Sequence, residues 1–218
     1  MFTIALVSQK GGAGKTTIGV HLAIEAQRNG LRALVLDLDP QASASKVLDR
    51  RGDEPPDVAT EHPARLDATL NKARDQGYNL VVLDTAPHAD QGALLAARCA
   101  DLVLVPVRPS ILDIDAAQTT MDICTLAKRE PLFVLNAVSP QGREATEARE
   151  VLTGRKGRVA AASLGDRKAF RIAFNEGKAA QEIDPKSKAA AEITALYGEL
   201  NIPTILHVNK PSHKIVGV

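Results

Sequence analysis

The chain has 218 residues, 44% of them hydrophobic and 24% charged, with a formal net charge of +1. That make-up suits one well-buried soluble domain of α/β type and excludes a disordered or fibrous chain. Aromatic residues are 3% of the total and Trp is absent, so aliphatic side chains must fill the core, as in parallel strands covered by helices rather than a β-sandwich.

Taken in chain order, Phe2–Ser8 is a short apolar run and reads as a buried strand, followed by a glycine-rich loop. Thr16–Asn29 reads as a helix closed by Gly30, and Leu31–Leu38 as a second strand. The polar, proline-bearing stretch Gly52–Pro63 reads as a loop, and Ala64–Gln76 as a helix ended by Gly77. Strand Leu80–Asp84, helix Gln91–Cys99, strand Leu102–Val107, helix Asp113–Arg129 and strand Leu132–Val138 come next. Glu144–Leu152 is helical, Arg158–Ala162 is a weak strand, and helices lie near Asp166–Glu176 and Lys186–Leu200. This alternation implies right-handed crossovers and a single doubly wound, mostly parallel sheet with helices on both faces. The domain is expected to span residues 1–202, with a tail from 203 to 218.

Cys99 and Cys124 are expected to be free thiols, since neither has a Cys or His at ligand spacing. No run reaches the roughly 18–20 apolar residues that cross a bilayer, and the chain opens straight into a strand without a leader, so a cytoplasmic location is expected.

Three strand ends carry chemistry. The stretch Ser8-Gln9-Lys10-Gly11-Gly12-Ala13-Gly14-Lys15-Thr16-Thr17 nearly matches a phosphate-binding loop, but Gln9 stands where the first glycine belongs. Backbone N–H groups from Gly11 to Gly14, with Thr16 and Thr17 opening a helix, would cradle phosphate oxygens. Lys15 would meet the β- and γ-phosphates and the Thr16 hydroxyl a Mg²⁺ ion. Asp84, closing an apolar strand, fits a carboxylate that holds the metal shell. In Asp37-Leu38-Asp39-Pro40-Gln41, alternation puts both carboxylates on one side. Asp39 is then placed to orient an attacking water and Asp37 to support the metal; alternatively, both cap a following helix.

Lys10-Gly11-Gly12-Ala13-Gly14-Lys15-Thr16-Thr17 resembles the deviant Walker A motif of the ParA/MinD ATPases, and Asp37-Leu38-Asp39-Pro40-Gln41 their first switch. "ADLVLVPVRPSILDIDAAQTT" from Ala100 and "GDRKAFRIAFNEGKAAQEI" from Gly165 resemble later blocks of the small ParA partition proteins. The resemblance implies a P-loop ATPase using ATP and Mg²⁺, with catalytic roles for Lys10, Lys15 and Asp39. It implies that Lys10 crosses an ATP-bound homodimer to the partner's phosphates, and that Asn136 reads the adenine edge, where a turn-forming Asn is the alternative. Thr85-Ala86-Pro87-His88 departs from the consecutive prolines of many relatives and leaves the second switch open.

The resemblance also implies non-specific DNA as a ligand, a ParB-like or other activating partner, and a nucleoid-associated location. Residues 141–218 hold 13 Lys/Arg against 9 Asp/Glu, whereas residues 1–140 hold 14 against 17, so basic charge gathers in the second part. Arg167, Lys168 and Arg171 share part of a helical face and are the expected phosphate contacts. No helix-turn-helix precedes the loop, so operator binding is not expected. Two prolines and no apolar period in "NIPTILHVNKPSHKIVGV" argue against a membrane-binding helix. A metabolic P-loop enzyme of the dethiobiotin synthetase or cobyrinate synthase type, phosphorylating a carboxylate, is the alternative function; Lys10 with the Asp-x-Asp-Pro-Gln motif favours the positioning ATPase.

Overall fold

The structure, a computed structural model, describes residues 1–88, 90–140, 142–155 and 157–202. The expected tail from 203 to 218 lies outside them. Seven strands form one sheet: β1 (Phe2–Leu6), β2 (Ala33–Asp37), β3 (Asp57–Thr60), β4 (Leu80–Asp84), β5 (Leu102–Val107), β6 (Pro131–Leu135) and β7 (Arg158–Val159). Their order is β3-β2-β4-β1-β5-β6-β7, and every pair is parallel.

The strand composition follows from burial on both faces. Ile4 and Leu6 point into one core and Ala5 and Val7 into the other, so β1 must be apolar at every position rather than alternating. The first core packs helices α1 (Lys15–Arg28), α2 (Ser43–Leu48), α7 (Lys168–Asn175), α8 (Ala180–Ile183) and α9 (Lys188–Glu199) onto the sheet. The second packs α3 (Leu66–Asp75), α4 (Asp90–Cys99), α5 (Ile111–Ala127) and α6 (Glu144–Gly154) onto the opposite face.

The segment read as a loop between Gly52 and Pro63 contains β3, which pairs with β2 in register Leu34 to Asp57 through Asp37 to Thr60. Only Val58 among its four residues is half-buried and the rest are exposed, so an edge strand here carries no apolar run to announce it. The short helix α8 went unpredicted, too brief to show a period, and α2 entered only as the helix of the capping alternative. Cys99 and Cys124 are free, as expected, with Cys124 buried. Among the described residues no helix is long and apolar enough to cross a membrane.

The topology fixes where a ligand sits. Strand β1 runs between β4 and β5, and β4 separates it from β2. Leu6 pairs with Asp84, and Asp37 pairs with the same Asp84. The loop after β1 and both acidic strand ends therefore meet at the carboxyl edge of the sheet, the usual ligand edge in doubly wound folds.

Candidate nucleotide site

Helix α1 starts at Lys15 with Gly14 as its N-cap; no side chain caps it and its first turn holds no acidic residue. Its leading N–H groups and positive dipole end are thus left for an anion. Gly14 has φ of +106°, and a Cβ there would lie 2.0 Å from Asn136 Nδ2. Both the backbone and the neighbour demand glycine. Gly12, with φ of +69°, lies under the Arg108 guanidinium.

Lys15 is buried and folds back over the loop, where its ammonium donates to Ser8 O at 3.1 Å and Lys10 O at 3.4 Å. Burial pulls its pKa below the usual lysine range, opposed by the carboxylates of Asp84 and Asp39. A desolvated ammonium held by two carbonyls is well prepared for phosphate oxygens. The loop backbone, Lys15, Thr16, Thr17, Asp39, Ser43, Pro87 and Phe174 surround a cavity of about 360 Å³. A larger cavity of about 1010 Å³ adjoins it and shares Asp39 and Pro87. It lacks the loop amides and Lys15, so the smaller cavity is the one whose lining chemistry suits phosphate oxygens.

Thr16 and Asp84 meet directly, the Thr16 hydroxyl donating to Asp84 Oδ2 at 2.7 Å. Asp84 is 1% exposed, and its Oδ1 is buried without a hydrogen-bond partner among the described residues. Burial pushes the carboxyl up to about 7; the Thr16 hydrogen bond opposes the rise and Asp37 adds to it. A buried carboxylate oxygen lacking a partner beside a threonine hydroxyl fits a hard divalent cation with oxygen ligands. Among the described residues there is no group of three or more His, Cys, Asp or Glu side chains that could hold a metal.

The two carboxylates of the Asp37-x-Asp39 motif part company. Asp37 is 1% exposed; its Oδ1 accepts from Asp39 N–H at 3.1 Å and its Oδ2 from Ser45 N–H at 2.9 Å. It anchors the start of α2, the capping alternative, and its strand position pairs with that of Asp84. Asp39 is half-buried, lines the phosphate cavity, and uses Oδ1 to accept from Gln41 N–H at 2.9 Å.

Asn136 sits on the loop itself. Its Nδ2 donates to Ala13 O at 2.7 Å and the residue is 9% exposed, so the donor half of the amide is engaged by the P-loop backbone. Lys10 is half-buried, its carbonyl turned in toward Lys15. Lys10 is not among the described residues lining the cavity, and no described residue bonds its ammonium.

Sequence reasoning missed Arg108, whose Nη2 donates to Gly12 O at 2.5 Å from the end of β5; its only signal was a lone basic residue closing an apolar strand. It also missed the link from α1 to α7. The His21 ring donates from Nδ1 to Thr17 O at 2.7 Å, so Nε2 accepts from Ala180 N–H at 3.1 Å. The ring stacks on Phe174, centroids 5.2 Å apart, and meets the edge of Phe170 at 5.0 Å. Burial lowers its pKa to about 4, keeping it neutral.

The expected DNA contacts divide. Arg167 precedes α7 and grips Glu192: Nε donates at 2.9 and 2.8 Å, and Nη2 closes on the same carboxylate. A forked, partly buried pair engages one side of that guanidinium with Glu192. Lys168 and Arg171 remain exposed on α7, Arg171 facing Asp166 only at 3.8 Å.

A model of the CobQ/CobB/MinD/ParA nucleotide binding domain matches residues 4–180. The chain is 30% identical over 210 residues to maintenance of carboxysome distribution protein A of Halothiobacillus neapolitanus, covering 91% of this chain and 96% of that one. It is 37% identical over 134 residues to the chromosome-partitioning ATPase Soj of Thermus thermophilus, covering 48% of this chain and 54% of that one. The septum site-determining protein MinD of Pyrococcus horikoshii, solved with Mg-ADP, superposes with a TM-score of 0.78 at 20% identity, over 94% and 98% of the two chains.

Proposed function

Because the chain belongs to the CobQ/CobB/MinD/ParA nucleotide-binding domain family, as a P-loop ATPase of ParA/MinD type, we propose that ATP binding pairs two copies of it. The pair then holds DNA without regard to sequence and is released when a partner protein speeds hydrolysis. Relatives are named for distributing carboxysomes and partitioning chromosomes, and the cargo here is of that general kind, a plasmid, a chromosome or another large body.

The observation that carries this reading is Lys10. A second lysine in a phosphate loop whose side chain lines no part of its own described cavity is available to a neighbouring copy. An ammonium delivered across an interface stabilises the charge on a triphosphate only after two copies close, so nucleotide and pairing become linked, as with an arginine finger.

Within one copy, Lys15 and the amides opening α1 bind the β- and γ-phosphates. The Thr16 hydroxyl and Asp84 would hold magnesium, which would supply neutralising charge to the phosphate oxygens. Asp39 orients the attacking water and accepts its proton. Asn136 keeps the loop in shape from Ala13, and its remaining carbonyl oxygen serves as an acceptor toward the base. Lys168 and Arg171 on α7 contact DNA phosphates. Phe174 touches both the cavity and His21, which joins α7 to the nucleotide.

The reading is tested by sedimentation with and without a non-hydrolysable ATP analogue, and by retention on random-sequence DNA at low salt. Pairing and retention that both require the analogue are expected. A chain that stays single in saturating analogue, or ignores DNA in both states, contradicts it, the second outcome pointing to a metabolic enzyme.

A further inference from the structure

Four carbonyls of the phosphate loop each face a side-chain donor. Lys15 Nζ meets Ser8 O and Lys10 O, Arg108 Nη2 meets Gly12 O at 2.5 Å, and Asn136 Nδ2 meets Ala13 O at 2.7 Å. The amides behave in the opposite way. Among the described residues, the N–H groups of Gly11, Gly12, Ala13 and Gly14 find no backbone acceptor. Ala13 is 2% exposed, so its N–H is a buried donor left over, and such a group calls for a ligand.

Planarity links the two halves of each peptide. In a trans peptide the C=O and the N–H point in opposite directions. Gly12 O drawn toward Arg108 therefore sends the Ala13 N–H the other way, and Ala13 O drawn toward Asn136 does the same for the Gly14 N–H. Gly12 and Gly14, on either side of Ala13, line the phosphate cavity. Gly11 and Gly12 restrict the chain little, so an unclamped Gly12-Ala13 peptide is free to turn over and present its carbonyl to the phosphates, which repel it. An ammonium of Lys15 that moves to a phosphate gives up Ser8 O and Lys10 O, leaving Arg108 and Asn136 as the standing restraints. Both follow neighbouring strand ends: Val107 of β5 pairs with Leu135 of β6, and Val107 O accepts from Asn136 N–H at 2.9 Å.

We propose that Arg108 is a positioning residue of the nucleotide site: by holding Gly12 O it aims the Ala13 N–H at a phosphate oxygen of the bound nucleotide. Arg108 acts through the loop backbone and not on the nucleotide itself. Its bond is charge-assisted, the stronger kind of hydrogen bond, and one donor suffices to make it. This rests on the reading above in one respect, that the loop binds nucleotide phosphates, and is independent of pairing and of DNA.

The sequence makes the aim of this one amide measurable. It contains two Gly-Ala peptide groups, Gly12-Ala13 and Gly92-Ala93. Carbonyl-labelled glycine with amide-labelled alanine therefore leaves two signals in a carbonyl-filtered NMR spectrum of the full chain, Ala13 and, as internal reference, Ala93 in α4. Saturating Mg-ADP should move the Ala13 amide proton downfield in the wild type, and equally in Arg108→Lys, whose ammonium still reaches Gly12 O. In Arg108→Met, which keeps the length and removes the donor, that shift should be largely lost and ADP affinity by calorimetry should fall about tenfold. The fall should be the same at low and high salt, because a contact and not a distant charge has been removed. Arg108 is exposed, so circular dichroism should show the same fold in all three chains. A wild-type-sized Ala13 shift in Arg108→Met overturns the proposal, as does an affinity loss that vanishes at high salt or that Arg108→Lys shares. A wild-type Ala13 amide that ignores bound Mg-ADP also overturns it, whereas a wild-type chain that binds no Mg-ADP overturns the nucleotide reading itself and this inference with it.

Discussion

Replacing Gly14 by alanine tests whether the phosphate loop is held in shape by Asn136. At φ of +106° an L residue is strained by about 1–3 kcal/mol. The new Cβ would also lie 2.0 Å from Asn136 Nδ2 and 3.0 Å from its Cγ, so the amide must move and release Ala13 O. Ala13 is 2% exposed, and a buried carbonyl stripped of its donor costs a further ~1–3 kcal/mol. The sum centres on about 4 kcal/mol, or roughly 8–16 °C in melting temperature for a domain of this size. Urea unfolding of the wild type, Gly14→Ala, Asn136→Ala and the double variant separates the two contributions. With Asn136 already truncated, Gly14→Ala should cost only its backbone strain, leaving a coupling of about 1–3 kcal/mol. Additive effects within about 0.5 kcal/mol would refute the clamp.

His21 should make stability fall between pH 6.5 and about 4, because in that window the unfolded chain binds a proton that the buried ring refuses. The loss is at most roughly 3 kcal/mol, and in urea unfolding against pH it should shrink in His21→Gln; an unchanged slope would exclude the ring. Arg167→Ala should cost about 1–3 kcal/mol of stability by leaving Glu192 without its forked partner, with the salt dependence of DNA retention unchanged. Lys168→Ala and Arg171→Ala should instead each lower the salt slope by about 1, and a reversed pattern would return Arg167 to the DNA surface. Asp39→Ala should keep ATP bound in filter assays while turnover drops by about 10²-fold or more; normal turnover would remove Asp39 from the chemistry.

The parts of the molecule legible in the sequence are those where one physical demand dominates. Strands β1, β4 and β5 are buried on both faces, so they show as unbroken apolar runs, and the loop after β1 shows through its glycines and Lys15. Strand β3 was hidden because an edge strand with three exposed residues answers to hydrogen bonding alone, which any side chain allows. Asp37 and Asp39 look alike in the sequence, and only the register of β2 against β4 and the start of α2 turn one into a cap and leave the other at the cavity. The pairing of Arg167 with Glu192 was hidden because the two lie 25 residues apart, beyond the reach of local spacing. Arg108 and Asn136 act on loop carbonyls, and a carbonyl leaves no mark in an amino-acid sequence.

Mixing two crippled chains tests the crossing of Lys10 most directly. Lys10→Ala and Asp39→Ala are each expected to be inactive alone, since every paired site lacks one group. In a mixed pair, the site holding intact Asp39 receives an intact Lys10 from the other copy. Equal mixing at saturating ATP should therefore restore roughly a quarter of wild-type turnover, as half the pairs are mixed and each has one complete site. If Lys10 serves its own copy's phosphates, no site in the mixture is complete and turnover stays at the level of the separate variants.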